Sequence, residues 1–367
     1  MKREGWLSII IRFLPFLFYA YERENIDKIT SSVIFVNMDI IDFGSTSLKV
    51  SRIGLGLAAL GRPGYINLGH GKDLNFDYDL NAMQSQTLGM LDFAYKLGIR
   101  YFDVARSYGR GEEFLSHWIK ANNEKKDFIA GSKWGYTYTA DWKVDADKHE
   151  VKEHTFNVLN RQYPESKKLL GDYLSIYHIH SATLDSGVLD NKEVLDKLWQ
   201  LKESGIIVGL SLSGIGQSET LDKALNIQNG GDRLFQSVQV TWNLLEQSAT
   251  DVLMIASSYG CGIIVKEALA NGRLTSRNKD LSFAGKREIL NELAIKYNCG
   301  VDAISLAYVL SQKWANVVLS GASTEEQLKS NVESLQILLD EGDMAILESL
   351  KEKPEAYWYI RGQLRWN

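Results

Sequence analysis

Cysteine is scarce in this chain. Cys261 and Cys299 are the only two among 367 residues, which is too few for a disulfide framework, and their spacing does not match a metal site. His178 and His180 do not make a zinc site by themselves. We therefore expect no metal ion, and a chain that works in a reducing, cytoplasmic compartment.

An excess of basic residues is also missing. The 41 lysines and arginines are outnumbered by 46 aspartates and glutamates, so that the net charge is −5 and the pI is near 5.8. A nucleic-acid-binding surface normally needs clustered positive charge, and no basic stripe stands out here. We expect no nucleic-acid partner. With 45% apolar and 24% charged residues, the chain is long enough for one large globular domain.

Long apolar runs are absent, although a short one lies near the N-terminus. Residues 6–20 are mostly apolar, but Arg12 and Pro15 interrupt the run, which falls short of the roughly 20 residues that cross a bilayer. Basic residues precede it, as in a signal peptide, but no small-x-small cleavage site follows. We expect residues 1–37 to be a disordered extension or a mis-assigned start, with the folded domain at 38–367. A signal peptide or membrane anchor is the alternative, and membrane association is not expected.

The glycine fingerprint of dinucleotide-binding folds, G-x-G-x-x-G after a strand, is absent too, which argues against an open Rossmann-like sheet. Instead, strand-like runs alternate with amphipathic helical stretches from residue 38 onward, which is typical of parallel βα units. Eight such runs occur, at residues 53–56, 101–103, 128–133, 174–180, 207–211, 237–242, 262–265 and 317–319. They predict an α/β fold, namely a (β/α)8 TIM barrel, with a hairpin at residues 42–50 that plugs its N-terminal end.

Four polar residues stand where a barrel enzyme keeps its catalytic groups. Asp103, Lys133 and His180 end three of the runs, and Tyr108 follows Asp103 by five positions. A phenol donates a proton well when its pKa falls from about 10 toward neutrality, which a neighbouring lysine promotes and a carboxylate beside the lysine sustains. His180 would hold the substrate oxygen, where such a donor is worth about 3 kcal/mol of barrier. Taken singly, each residue also fits an ordinary turn, packing or surface role.

In their order and context, the runs Arg-Tyr-Phe-Asp103-Val-Ala-Arg-Ser-Tyr108, Ala-Gly-Ser-Lys133-Trp-Gly and Tyr-His178-Ile-His180-Ser resemble the aldo-keto reductase family, in its sugar or aldose dehydrogenase-like branch. The resemblance implies a barrel, a nicotinamide cofactor and four roles. Tyr108 is the general acid, Lys133 modulates its pKa, Asp103 partners the lysine and His180 orients the substrate. His178 competes for the last role, because both histidines face one side of a strand, but the family's Ile-His-Ser ending favours His180.

The resemblance also predicts the residues around the nicotinamide. Gly56 and Leu57 match the end of the family's first strand, and Ser211 and Gln239 match the residues that hold the carboxamide. Leu212 replaces a family asparagine, so that a neighbouring hydroxyl such as Ser213 would have to substitute. Lys266 stands in the stretch where the family often has a stacking tyrosine, and Trp242 or the aromatic tail at 357–366 is the candidate replacement for that ring.

The adenosine phosphate would sit at the loop and helix that follow the last strand, where Gly321, Ser323, Gln327 and Asn331 are the predicted contacts. A helix N-terminus offers free N–H groups to a phosphate. NADP-preferring members commonly carry a basic residue here, whereas this chain has Ser323 and Gln327 beside an acidic pair at 325–326. We therefore expect NAD or NADP as cofactor, with a preference for NAD. The alternative is that the acidic pair only favours the helix dipole.

These observations predict an NAD(P)-dependent oxidoreductase that interconverts an aldehyde, ketone or sugar carbonyl with its alcohol. A non-catalytic nicotinamide-binding sensor is the main alternative, and a cofactor-free lyase or isomerase is a weaker one. Tyr65, His70 and Trp134 are candidate substrate contacts, each with an equally good packing interpretation. Substrate identity, reaction direction and oligomeric state are left open, because loops set the selectivity of barrels.

Overall fold

A computed structural model describes residues 38–367. The expectations for residues 1–37 lie outside the described residues. Within the described part, all eight predicted runs become strands of one closed barrel. The barrel strands are β3 (Ile53–Gly56), β4 (Tyr101–Asp103), β5 (Ile129–Trp134), β8 (Leu174–Ala182), β9 (Ile207–Leu212), β12 (Ser237–Thr241), β13 (Gly262–Lys266) and β14 (Val317–Ser320). Their spatial order is β12-β13-β14-β3-β4-β5-β8-β9.

Neighbouring barrel strands run parallel throughout. The predicted (β/α)8 barrel is thereby confirmed, with strand ends that move by one or two residues. Three short antiparallel hairpins between residues 38 and 367 lie outside the barrel. They are β1–β2 (Ile40–Asp42 with Lys49–Ser51), β6–β7 (Tyr136–Tyr138 with Glu150–Lys152) and β10–β11 (Gln228–Asn229 with Asp232–Arg233).

The predicted N-terminal hairpin closes the floor of the barrel. Phe43, between β1 and β2, is fully buried and packs in one cluster with Ile176, Ile264 and Val317 from three barrel strands. Gly262, at the start of β13, leaves the room for this ring, since a Cβ there would lie 2.5 Å from Phe43. The floor is therefore apolar and filled by packed side chains.

The helices pack around the barrel through their apolar faces. The helix Lys192–Glu203 is one of the predicted amphipathic stretches. The Asn191 side chain caps its first turn, and the helix buries Val194, Leu198 and Leu201. The α-helices between residues 38 and 367 are His70–Asp73, Leu80–Lys96, Gly111–Ala121, Phe156–Leu170, Lys192–Glu203, Gln217–Leu225, Thr250–Ser258, Ala284–Lys296, Val301–Leu310, Glu325–Glu333, Glu341–Glu348 and Pro354–Gly362.

No helix between residues 38 and 367 is by itself long and apolar enough to cross a bilayer. One consecutive pair, Leu281–Lys296 with Val301–Leu310, has the required length and composition when the two are taken together. This pair is bent by 86°.

Candidate active site

A cavity of about 770 Å³ opens at the C-terminal ends of the barrel strands. Its walls come from these strand ends, from the loop after β3, from the β6–β7 hairpin, from the loop after β13 and from the C-terminal tail. Active sites of TIM barrels lie at this end because the βα loops converge there. A volume of this size suits a ligand as large as a cofactor with a small substrate.

Lys133 and Asp103 form a buried ion pair beneath the cavity. The Lys133 ammonium donates to Asp103 Oδ2 at 2.5 Å and to the Val104 carbonyl at 3.0 Å. The other carboxylate oxygen of Asp103 accepts from the Gln239 amide at 2.7 Å and from the Tyr101 hydroxyl at 3.1 Å. Both side chains are at most 4% exposed, and these bonds offset much of the cost of burying two charges.

Tyr108 lies directly against this pair. The Lys133 ammonium is 4.8 Å from the centre of the tyrosine ring. Burial raises the pKa of Tyr108 well above its ordinary value of 10.0, the Asp103 carboxylate adds to the rise, and the Arg62 guanidinium opposes it. The direction is opposite to the lowering we expected from Lys133, because desolvation of the phenol outweighs its cationic neighbours. The phenol is therefore protonated at neutral pH.

His180 faces the cavity beside Tyr108. The two rings are nearly perpendicular and meet edge to face, with their centres 5.5 Å apart, and His180 Nδ1 lies 3.3 Å from Ser107 Oγ. Burial lowers the pKa of His180 well below 6.5, and the charges of Lys133 and Arg62 lower it further. The imidazole is neutral. If Nδ1 accepts from Ser107, the tautomer assigned from this bond leaves an Nε2–H to donate to a ligand.

His178 occupies a different environment. Its Nε2 bonds Ser237 Oγ at 2.9 Å, and its ring packs over Gly209. The side chain is 1% exposed and does not line the cavity. Of the two candidate histidines, the structure brings only His180 to Tyr108.

The side-chain amide oxygen of Gln239 has no hydrogen-bond donor within the described chain. Its Nε2 donates to Asp103, whereas its buried Oε1 accepts no hydrogen bond within the described chain. The residue is 1% exposed and lines the cavity. A buried acceptor of this kind calls for a donor from a ligand. The carboxamide NH₂ of a nicotinamide is such a donor, so that this part of the cavity fits the expected cofactor.

The other predicted cofactor residues divide into two groups. Those that line the cavity are Gly56, Lys266, Gly321, Gln327 and Asn331, together with Ser213. Leu57, Ser211 and Ser323 are buried and do not line it. Ser211 Oγ accepts a hydrogen bond from the Ser181 amide at 2.9 Å. Direct contacts by these three residues remain predictions without support from the cavity wall.

Some of the candidate substrate contacts and candidate stacking rings line the cavity, and the others are buried away from it. Tyr65 and Trp366 line the cavity. His70 and Trp134 are fully buried away from it. Trp242 packs parallel to Tyr308, with ring centres 5.7 Å apart, and so cannot replace the missing stacking ring.

Lys266 ends β13 with its side chain in the cavity. Its ammonium donates to Thr241 Oγ1 at 2.5 Å. Burial lowers its pKa to about 8, although the neighbouring Glu267 carboxylate pulls the other way. Glu267 is itself engaged by Arg361 of the C-terminal helix, at 2.5 Å and 3.0 Å. Both oxygens of that carboxylate are therefore taken by the arginine.

The predicted phosphate-binding end lies at the helix Glu325–Glu333. The Thr324 hydroxyl caps this helix, and Gln327 Oε1 accepts from the Ser323 amide at 3.0 Å. Arg277, which sequence reasoning missed, lines the same end, but its guanidinium is bound to Asp73 at 2.7 Å. Asp302 and Glu326 also face this part of the cavity.

Arg62 is a second residue that sequence reasoning missed. It is 3% exposed, pairs with Glu150 of β7 and stands over the rings of Tyr65, Tyr108 and Trp366 at 5.1, 5.2 and 4.8 Å. Its partners come from four separated segments. No local sequence pattern could have marked it, because only the folded loops bring them together.

The described side chains do not form a metal-binding cluster. In residues 38–367, no group of three or more histidine, cysteine, aspartate or glutamate side chains is placed to hold a metal ion.

Comparisons with known proteins bear on this site. A sequence model of the Aldo/keto reductase family matches residues 52–352. The chain is 24% identical over 312 residues to the uncharacterized oxidoreductase YqkF of Bacillus subtilis (strain 168), covering 79% of this chain and 89% of that protein. It is 23% identical over 344 residues to the NADH-specific methylglyoxal reductase of Escherichia coli (strain K12), covering 87% and 100% of the two chains.

The fold is also found among solved structures. The aldo-keto reductase AKR11C1 from Bacillus halodurans, in its holo form, is similar with a TM-score of 0.67 at 19% identity, covering 86% of this chain and 97% of that chain. At this identity the likeness bears on the fold alone.

Proposed function

Because the chain belongs to the aldo/keto reductase family, we propose that it transfers hydride between a nicotinamide cofactor and a small aldehyde, ketone or sugar, interconverting the carbonyl with its alcohol. The observation that carries the proposal is the grouping of four side chains at one end of one cavity. Asp103 and Lys133 pair at 2.5 Å beneath the Tyr108 ring, and His180 meets that ring edge to face. These groups supply a proton and hold an oxygen at the same place.

In the direction of reduction, Tyr108 is the proton donor. As the carbonyl carbon accepts hydride, its oxygen gains negative charge and takes the phenolic proton. The raised pKa of Tyr108 keeps that proton in place at neutral pH. The neutral His180 donates a second hydrogen bond to the same oxygen. Lys133, held by Asp103, stabilises the phenolate that remains.

The nicotinamide cofactor supplies the hydride when it is bound. Gln239 Oε1 would accept from its carboxamide, with Gly56 and Ser213 in the adjoining wall. The amide groups at the start of the helix Glu325–Glu333 would hold a phosphate. Asn331, on the same helix, lines that end as well.

We propose that NAD is used at least as well as NADP. Arg277 is already neutralised by Asp73, and Asp302 and Glu326 line the same end of the cavity. A ribose phosphate would meet two carboxylates there and one cation that is already paired. The NADH-specific relative from Escherichia coli supports this preference.

Gln327→Arg tests the preference. An added guanidinium at the start of the helix gains a charge-assisted bond to the ribose phosphate, so that affinity for NADPH should rise roughly tenfold, with little change for NADH. Fluorescence titration of both cofactors measures this. Gln327→Met is the control for loss of the Ser323 contact. Equal affinities for NADPH in the arginine and methionine variants would refute the assignment of this end.

We propose a small polar substrate such as an aldose. The wall beside Tyr108 combines the rings of Tyr65 and Trp366 with the charged side chains of Arg62 and Glu150. Such a wall offers both apolar faces and hydrogen-bond partners to a polyhydroxy compound.

The proposed function is tested by turnover. Purified protein is mixed with NADH or NADPH and a panel of aldehydes, ketones and aldoses, and the loss of reduced cofactor is followed. We expect turnover with at least one aldehyde or aldose. Tight binding of the cofactor without turnover of any member of the panel would contradict the proposal that the protein is an enzyme.

A further inference from the structure

We propose that Lys266 makes the cavity bind the reduced nicotinamide cofactor more tightly than the oxidised one. This inference rests on the proposed function, because it concerns the ligand of the same cavity. It goes further by giving a role to a lysine that stands where related chains often have an aromatic ring. An enzyme with this property can load reduced cofactor in the presence of excess oxidised cofactor, and so it acts as a reductase.

The first step of the argument is position. Lys266 lines the cavity at the end of β13, and Gln239 lines it from the neighbouring strand β12. The hydride and the proton must reach the same carbonyl group, so that the nicotinamide ring has to lie in the chamber formed by Tyr108, His180 and Gln239. The lysine side chain is 16% exposed, toward that chamber.

The second step is charge balance. Lys133 is neutralised by Asp103 at 2.5 Å, and Arg62 by Glu150. Glu267 binds Arg361 with both of its oxygens, while its distance to the Lys266 ammonium is 3.8 Å, beyond a hydrogen bond. One carboxylate thus serves two cations. Lys266 is the more weakly held of the two, because its ammonium lies 3.8 Å from Glu267 Oε1 and its one hydrogen bond within the described chain goes to the uncharged Thr241 hydroxyl. One positive charge is therefore in surplus at this end of the cavity.

The third step is the difference between the two forms of the ligand. The ring of oxidised nicotinamide is cationic, whereas the reduced ring is neutral. Like charges a few ångströms apart in a protein interior repel strongly enough to change an equilibrium by roughly tenfold to hundredfold. The two forms differ at this ring by one positive charge, and the charge of Lys266 therefore discriminates between them.

The charge of Lys266 also makes the selectivity depend on pH. The groups that act on it are Glu267, Arg361, Lys133 and Asp103, and burial lowers its pKa to about 8. The ammonium is therefore charged below that pH and loses its charge above it. Selectivity for the reduced form should be greatest near neutrality and should fade as the pH rises past about 8.

Calorimetric titration of the full-length protein with NADH and with NAD⁺, at pH values below and above the pKa of Lys266, tests the proposal without turnover. In the wild type, the ratio of the two dissociation constants should favour NADH by roughly tenfold to hundredfold at the lower pH and should fall at the higher pH. Lys266→Met should lose this excess and its pH dependence, whereas Lys266→Arg should keep the selectivity at both pH values. Lys152→Met, which removes a lysine at the rim of the cavity, is the matched control and should behave as the wild type does.

The outcomes separate this inference from the proposed function. If both forms bind, but the ratio is the same in the wild type and in Lys266→Met, the role of Lys266 is refuted and the cofactor site stands. A wild-type ratio that does not change with pH refutes it equally, even if the methionine variant fails to fold. If neither NADH nor NAD⁺ binds to the wild type, the proposed function fails together with the inference.

Discussion

The Lys133 ammonium lies in a closed environment, 1% exposed, and is held by one carboxylate oxygen and one carbonyl. Its position was predictable, because Asp103 and Lys133 end consecutive barrel strands and hence meet at one rim. The additional partners of Asp103 were not predictable. Tyr101 and Gln239 reach the carboxylate from within the barrel, and the sequence pattern does not reveal which side chains share its interior.

Lys133→Met should be strongly destabilising. It leaves the Asp103 carboxylate buried without a cation, and breaking a buried pair in this way costs about 3–5 kcal/mol of unfolding free energy. The double variant with Asp103→Asn should recover part of that loss, because no uncompensated charge remains. Urea unfolding of the three proteins measures both effects. Lys49→Met, which breaks an exposed pair with Asp42, is the control and should cost under about 1 kcal/mol. A loss of that small size in Lys133→Met would contradict the buried-pair account.

At the scale of the element, the apolar runs predicted the eight barrel strands because parallel strands are buried on both faces. The short strands β6 and β7 were missed. Each has three residues, with partly exposed side chains, and such segments lack the apolar pattern that identifies a strand. They nevertheless border the candidate active site, because Glu150 on β7 pairs with Arg62 beside Tyr108.

The N-terminal hairpin provides a test of packing at this scale. Gly262→Ala would place a methyl group 2.5 Å from the Phe43 ring in the barrel floor, and overpacking of this kind costs about 1–3 kcal/mol. Gly89→Ala is the matched control. It lies inside the helix Leu80–Lys96 with no atom within 4 Å of the added Cβ, and it should stabilise the protein by about 0.5–1 kcal/mol. Thermal unfolding compares the two, and a neutral Gly262→Ala would mean that Phe43 does not fill the floor tightly.

At the scale of the whole molecule, the cavity is closed by segments far apart in sequence. Arg361 reaches Glu267, Arg273 binds Glu352 and the backbone of Asn367 pairs with that of Tyr65. These contacts bring the C-terminal tail over the barrel mouth. Local patterns predicted the barrel and its catalytic rim, but they could not predict this closure, because it depends on long-range contacts between loops and tail.

Buried histidines should make the folded molecule sensitive to acid. Burial lowers the pKa of His178 to about 3 and that of His154 and His70 to about 4. The unfolded chain binds protons near pH 6.5 whereas the folded chain does not, so that stability falls as pH drops below about 6.5, by about 1.4 kcal/mol per pH unit for each such group.

His178→Gln tests this linkage, since an amide can keep the bond to Ser237. Urea unfolding between pH 6.5 and 5 should show a shallower decline of stability in the variant, by about 1.4 kcal/mol per pH unit. Parallel pH profiles in the two proteins would show that His178 takes up its proton as readily in the folded chain as in the unfolded one.

The central claim is that Tyr108 delivers the proton in a nicotinamide-dependent reduction. The direct test is steady-state turnover of an accepted aldehyde by Tyr108→Phe, with the dissociation constant for NADH measured on the same sample. Loss of the general acid should lower turnover by roughly 10²–10⁴-fold while cofactor affinity is kept. Turnover equal to that of the wild type in the phenylalanine variant would contradict the account.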